Sequence, residues 1–328
     1  MLDQESDREI ARRLKRTVEV LSVSIGPRSA HLEDTSIRKA EVYVSNRYRR
    51  MGHEPARQEY MSFPFGKVMN VANLEVEITG ARDPESVILI GSHYDSLGMD
   101  FGEMGRIESP GSNDNATGVA VQLEVFRDFR YFRPEKTVRF VSFVNEEPPF
   151  FGEMSMGSNV YARRAWQNGD RIDLAISLDE LGYFTNVPGT QKIPEGVIAP
   201  EMPSSGNFLA IVSNQKSLKE ANRAVVFFNE GSTLPVFVAT CEDREYIPQL
   251  NLNVLIPSLG MYLKVPQLAA SDHGPFWSYG YKAFCITDTS FCRYPDWHEE
   301  TDTIDKIDFE KLAQVTRGVS RMLKGLSR

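Results

Sequence analysis

Three short, mostly apolar runs constrain this chain most: Val87–Ile90, Val138–Val144, interrupted by Arg139 and Ser142, and Leu174–Leu178, interrupted by Ser177. Each is the length of a strand; Val87–Ile90, apolar throughout and β-branched, carries the mark of a strand buried on both faces, and the other two read as further buried strands. Each gives way to a polar cluster: Gly91-Ser92-His93 after the first, Asn145-Glu146-Glu147 after the second, and Asp179-Glu180 after the third. Stretches with helical spacing of apolar residues lie between them. Strands that alternate with helices predict an α/β fold, with a mostly parallel or mixed central sheet flanked by helices.

Helices are expected over residues 4–23, with Ile10, Leu14, Val18 and Leu21 at helical spacing and Gly26-Pro27-Arg28 as the stop, and over 34–51, 114–129, 158–166 and 309–323. Further strands are expected over 58–63, 71–78, 208–212, 254–256 and 282–287. The stretches 185–203 and 233–268 read as long loops covering the edge of the sheet where such folds bind ligands. With no repeat and no low-complexity segment, residues 1–328 are expected to form one catalytic domain.

The net charge of −8 and pI of about 5.3 argue against nucleic acid as a partner, and no apolar run of about 18 residues predicts a membrane span. Arg127, Arg130, Arg133 and Lys136 read as a solvated helix face. The N-terminus is polar and lacks the apolar core of a signal peptide, so the expected location is the cytoplasm, or outside it if a signal has been removed. Cys241, Cys285 and Cys292 make no disulfide framework and no CxxC, and they are read as buried thiols.

Five clusters carry chemistry: His93-Tyr94-Asp95, Gly111-Ser112-Asn113-Asp114-Asn115, Glu146-Glu147, Asp179-Glu180 and Trp297-His298. Singly, each has a blander reading. Asp114 would suit a helix N-cap, His93 an ordinary buried histidine, Glu146-Glu147 a solvated loop, and His298 a surface loop. All at strand ends of one sheet, they suit divalent cations held by carboxylate and imidazole, with zinc the first choice. Asp114 is the natural bridge of a two-metal site. Asp95, too close to His93 to share its ion, is expected to orient that imidazole. Glu147 is expected as a ligand and Glu146 as the general base, because adjacent acids beside a dry strand are costly unless one binds metal and the other shares a proton.

Taken together, the motifs resemble those of the M28 zinc peptidases, a family that includes aminopeptidases and glutaminyl cyclases. The resemblance rests on His93-Tyr94-Asp95, on Asn113-Asp114-Asn115-Ala116-Thr117-Gly118, on Glu146-Glu147, on Asp179, and on His298 ahead of Asp302-Thr303, in that order along residues 25–325. It implies a zinc-exopeptidase (phosphorylase/hydrolase-like) architecture with two zinc ions per chain. His93 and Asp179 would hold one ion, Glu147 and His298 the other, and Asp114 would bridge them. Glu146 would be the base and Asp95 would orient His93. In Ser271-Asp272-His273, His273 would face the substrate or support the site without ligating. The expected activity is release of N-terminal residues from peptides. A glutaminyl cyclase, a carboxypeptidase using Arg244 or Arg293 for the substrate carboxylate, and an inactive peptide-binding relative are the alternatives. Pro148-Pro149-Phe150-Phe151 departs from the family's Gly-rich turn and is expected to reshape the pocket, with Phe150, Phe151 and Tyr183 lining it.

Overall fold

The computed structural model describes residues 2–32, 34–63, 68–100, 102, 105–193, 202–240, 251–256, 261–266 and 270–328. The strands are β1 (Ala56–Ser62), β2 (Met69–Ile78), β3 (Asp83–His93), β4 (Gly98–Asp100), β5 (Arg106–Glu108), β6 (Lys136–Phe143), β7 (Arg171–Leu178), β8 (Leu209–Ser213), β9 (Val236–Thr240), β10 (Asn251–Ile256), β11 (Met261–Pro266) and β12 (Ala283–Thr287). The helices are α1 (Asp7–Val18), α2 (Asp34–Arg50), α3 (Gly118–Phe129), α4 (Gly157–Asn168), α5 (Leu218–Asn229), α6 (His273–Ser278), α7 (Ser290–Arg293) and α8 (Phe309–Leu326).

Eight strands make one mixed sheet in the order β1-β2-β6-β3-β7-β12-β8-β9. The middle of it, β6-β3-β7-β12, is parallel, while β1, β2 and β8 join antiparallel to their inner neighbours. The four parallel strands therefore end on the same edge, where open α/β sheets place their sites.

These apolar runs belong to strands covered on both faces. In β3, Ile88 and Ile90 face one core with α1, α2, α3, α5 and α8. Val87 and Leu89, pointing the other way, join Tyr161, Ala162 and Ala165 of α4 and Phe276 of α6. Phe126 of α3 anchors the larger core, meeting Tyr48 and Phe140 edge-on at ring distances of 5.0 and 5.1 Å. Truncating such a buried ring costs about 3–5 kcal/mol.

Helix boundaries follow local chemistry. Helix α1 begins at Asp7, later than its apolar periodicity suggests, because Ser6 and Glu9 form a reciprocal capping box. It runs into a wider helical turn to Ile25 and stops at Gly26, whose φ of 82° suits glycine. Helix α3 begins at Gly118 and not at 114: its N-cap position is Thr117, and Asp114 lies further back in the wide turn Ser112–Thr117, so Asp114 is not its cap. Strand β9 and the β10–β11 hairpin occupy much of the stretch expected to be loop over 233–268, and α5 was not anticipated at all. Residues 185–193 and 202–208 carry no helix or strand, and 194–201 lie outside the described residues. The basic stretch is not a freely solvated face: Arg127 pairs with Glu5 and Glu124, Arg130 donates to the Met51 carbonyl, and Lys136 pairs with Asp173.

Candidate metal centre

The end of β3 delivers His93 and Asp95, the loop after β6 delivers Glu146 and Glu147, and the end of β7 delivers Asp179 and Glu180. Asp114 comes from the turn before α3, and His298 from the loop between α7 and α8. All of these side chains are buried. His93 Nε2 lies 3.2 Å from Asp179 Oδ1, 3.3 Å from Asp114 Oδ1 and 3.8 Å from Glu146 Oε2. His298 Nε2 lies 3.2 Å from Glu147 Oε2 and 3.4 Å from Asp114 Oδ2. One imidazole nitrogen carries at most one proton, yet each of these faces two or more carboxylate oxygens. Convergence on a shared point is the geometry of a cation site and not of a hydrogen bond.

Two donor sets result, His93/Asp114/Asp179 and Asp114/Glu147/His298, each with ligand atoms within 4.8 Å of one another. Asp114 belongs to both, turning one oxygen to each histidine. A third grouping joins His93 to Glu146 and Glu147. His273 belongs to none of them; it packs edge-on to Trp277 at a ring distance of 4.6 Å.

Side chains spent on the backbone hold the turn that carries Asp114. Asn115 accepts from the Gly118 and Glu180 amides through Oδ1 and donates to the Leu178 carbonyl. Asn113 donates to Asp288 and Ser290 and accepts from the Gly182 amide. Asp302 accepts from the Asn113 and Asp114 amides and from the Tyr294 hydroxyl. Trp297 lies flat on His298, with ring centroids 3.6 Å apart and planes 17° from parallel. Asp95 Oδ2 accepts from the Glu147 amide at 3.1 Å, tying the ends of β3 and β6 together, while its Oδ1 stands 3.6 Å from His93 Nδ1. That distance is longer than a formed hydrogen bond.

Acid crowding sets the electrostatics. Burial pushes the Glu146 carboxyl well above the usual range; His93 opposes this, and Asp179, Glu147 and Asp272 reinforce it. Burial and then Asp114 push Glu147 up to about 7, against His298. Burial likewise raises Asp272 to about 7. So many acids with so little positive charge among them is unfavourable without protons or cations.

Comparison with known proteins accords with this geometry. Residues 73–201 match the model of peptidase family M28. Over 310 residues the chain is 30% identical to the uncharacterized protein YfbL of Escherichia coli, a match covering 94% of this chain and 86% of that one. The chain belongs to peptidase family M28. A probable zinc metalloprotease of Pyrenophora tritici-repentis is 31% identical over 141 residues, 42% of this chain and 29% of that longer protein. Among solved structures, a leucine aminopeptidase precursor from Bacteroides thetaiotaomicron superposes with a TM-score of 0.66 at 16% identity, covering 97% of each chain. Fimbriiglobus ruber glutaminyl cyclase gives 0.64 at 19% identity over 97% of this chain and 95% of that one. At such identities these two share the fold.

As an M28 member the chain is a zinc-dependent peptidase acting on peptides. The donors fit zinc: imidazole nitrogens and carboxylate oxygens, few in number and buried, with Glu147 Oε1 left without a hydrogen-bond partner among the described residues.

The structure also revises the supporting cast of this M28 site. Phe150 is buried in the main core, Phe151 is half-buried, and Tyr183 meets Tyr294 at a ring distance of 4.3 Å with the planes tilted. Arg293 is buried between the Phe184 and Phe208 rings and donates to the Tyr183 and Phe208 carbonyls, so it is not presented to a substrate carboxylate. Arg244 and Cys241 lie outside the described residues. Asp288, at the end of β12, was missed, although the strand-end signal that marked Asp179 applied to it equally.

Proposed function

We propose that the chain is a di-zinc aminopeptidase, with His93 and Asp179 holding one ion, Glu147 and His298 the other, and Asp114 shared between them. The observation that carries this reading is Asp114 itself. Its two oxygens face two separate histidines, each with a further carboxylate, so that both donor sets are complete only with Asp114 in the middle.

Zinc, when bound, supplies Lewis acidity that polarises a scissile carbonyl and makes water more acidic. The chain's own residues do the rest. Glu146, raised in pKa and near both donor sets, takes a proton from the attacking water and passes it to the leaving amine. Asp95, through the Glu147 amide and beside His93, keeps the ends of β3 and β6 in register with that transfer. The excess of acid (Glu180, Asp272 and Asp288 besides the ligands) favours a substrate that brings a free α-ammonium group. Arg293 gives both Nη atoms to the Tyr183 and Phe208 carbonyls, which makes it a poor anchor for a substrate carboxylate and adds support to N-terminal recognition.

Metal content per chain, measured alongside hydrolysis of a panel of aminoacyl-arylamides with and without chelator, tests the reading. About two zinc ions and chelator-sensitive release are expected. One zinc, no release, and cyclisation of a peptide with N-terminal glutamine would replace this reading with a cyclase.

A further inference from the structure

Gly26-Pro27-Arg28 ends the first helical segment, and Arg28 is among the largest fully buried side chains in the protein. A buried arginine ordinarily pairs with a carboxylate. This one instead donates to backbone carbonyls: Nε to Tyr94 at 3.1 Å, Nη1 to Leu21, Gly26 and Pro110 at 3.1, 3.2 and 2.6 Å, and Nη2 to Gly111 at 3.0 Å. Tyr94 lies between His93 and Asp95, and Pro110 and Gly111 open the turn that carries Asp114. Ser96 closes the arrangement, accepting from the Arg28 amide and donating from its own amide to the Arg28 carbonyl.

The acids nevertheless feel its charge. Burial lowers the Arg28 pKa to about 10, and the field of Asp95, then Asp302, Asp114 and Glu147, opposes that fall, so the guanidinium is charged at neutral pH. Gly111 is what lets it sit there. A Cβ at that position would lie 2.9 Å from Arg28 Nη2 and 2.3 Å from the Asp114 carbonyl oxygen, and the φ of 61° suits glycine.

We propose that Arg28 is a positioning residue that acts as a fixed positive charge behind the acidic centre, offsetting the mutual repulsion of Asp95, Asp114, Glu147 and Asp302 while leaving their oxygens free for metal. Bonding to carbonyls instead of carboxylates is what makes both possible. A direct ion pair would take up a ligand oxygen; a neutral side chain would leave the acids without a countercharge. The inference rests on the ligand set given above.

The sign of the effect on zinc separates this role from a mere brace. A fixed positive charge repels an incoming cation, so removing it tightens zinc binding; a brace, once removed, loosens the turn and weakens zinc binding. The test compares wild type, Arg28→Met and Arg28→Lys by zinc affinity in chelator competition and by thermal unfolding with zinc and with chelator. Arg28→Met is expected to bind zinc about tenfold more tightly and to widen the zinc-induced rise in Tm by roughly 4 °C. Arg28→Lys, which keeps the charge but not the fork, is expected to keep the wild-type rise while both its Tm values fall. A folded Arg28→Lys beside an unfolded Arg28→Met also supports the role of charge. Weaker zinc binding in Arg28→Met, equal Tm losses with and without zinc, a widened rise in Arg28→Lys, or loss of the fold in both variants would overturn it. No zinc-induced rise in the wild-type protein would overturn the ligand set along with it.

Discussion

Asp302 reaches Asp114 through the backbone: its Oδ2 accepts from the Asp114 amide at 3.1 Å. The Asp114 side chain is thereby left free to turn its oxygens to His93 and His298. Burial raises the Asp302 carboxyl to about 7, and the amides of Asn113 and Asp114, which it accepts from at the rear of the centre, act against that rise.

Asp302→Ala removes that carboxyl and frees the amides of residues 113 and 114. Zinc affinity is expected to fall about 10–100-fold, the usual cost of losing such support. Competition with a chromogenic chelator measures it, and unchanged affinity would show that the turn holds its shape without Asp302.

Glu146→Gln keeps the size of the side chain and removes the base. Zinc content should stay at the wild-type level while kcat for aminoacyl-arylamide hydrolysis drops about 10²–10⁴-fold. A variant with near-wild-type turnover would move the proton transfer to another group.

Asp114→Asn leaves the turn its backbone contacts but weakens the donor shared by the two sets. Zinc per chain should fall from two to one or fewer, read by elemental analysis after dialysis. Two tightly held ions in this variant would end the case for a bridge.

Acid should act on a different part of the molecule. Asp128 on α3 accepts from the Leu2 amide at 3.0 Å and the Ser320 hydroxyl at 2.7 Å, and it pairs with Lys324, so it ties α3 to both chain ends. Burial opposes its ionisation, but Lys324, Leu2 and Ser320 outweigh burial and hold the carboxyl well below the usual range. A depressed folded-state pKa gives stability that is present above the unfolded-state value near 4 and lost as pH falls through the folded-state value. Asp128→Asn should thus be less stable than wild type at pH 7, by about 1–3 kcal/mol, with the gap narrowing as pH drops below 4. Urea unfolding at several pH values checks this; a gap independent of pH would assign the loss to packing.

The strands that form the centre were legible because burial on both faces leaves no polar position in Val87–Ile90 and only Arg139 among Val138–Val141, and the abrupt change to acid or histidine marks the strand end. The turn before α3 was harder. Gly-Ser-Asn-Asp-Asn has the composition of a cap, and only the tertiary partners of Asn113 and Asn115 show that these side chains hold strand ends instead. Helix α5 escaped because two of its inward positions, Ala221 and Ala224, are small and weakly apolar, leaving Phe228 as the strongest signal. Arg28 gave no sign at all. Its partners at Tyr94 and Gly111 lie 66 and 83 residues away, and no local pattern distinguishes it from a solvated arginine after a helix.

The parallel arrangement of β6, β3, β7 and β12 draws its site from widely separated parts of the chain, beginning at His93 and completed by His298 out of 328 residues. No N-terminal piece that stops short of residue 298 holds both donor sets. While the chain is being synthesised, a growing fragment can fold much of its sheet and still lack the second histidine. A peptidase laid out this way has its second donor set only once His298 has been made.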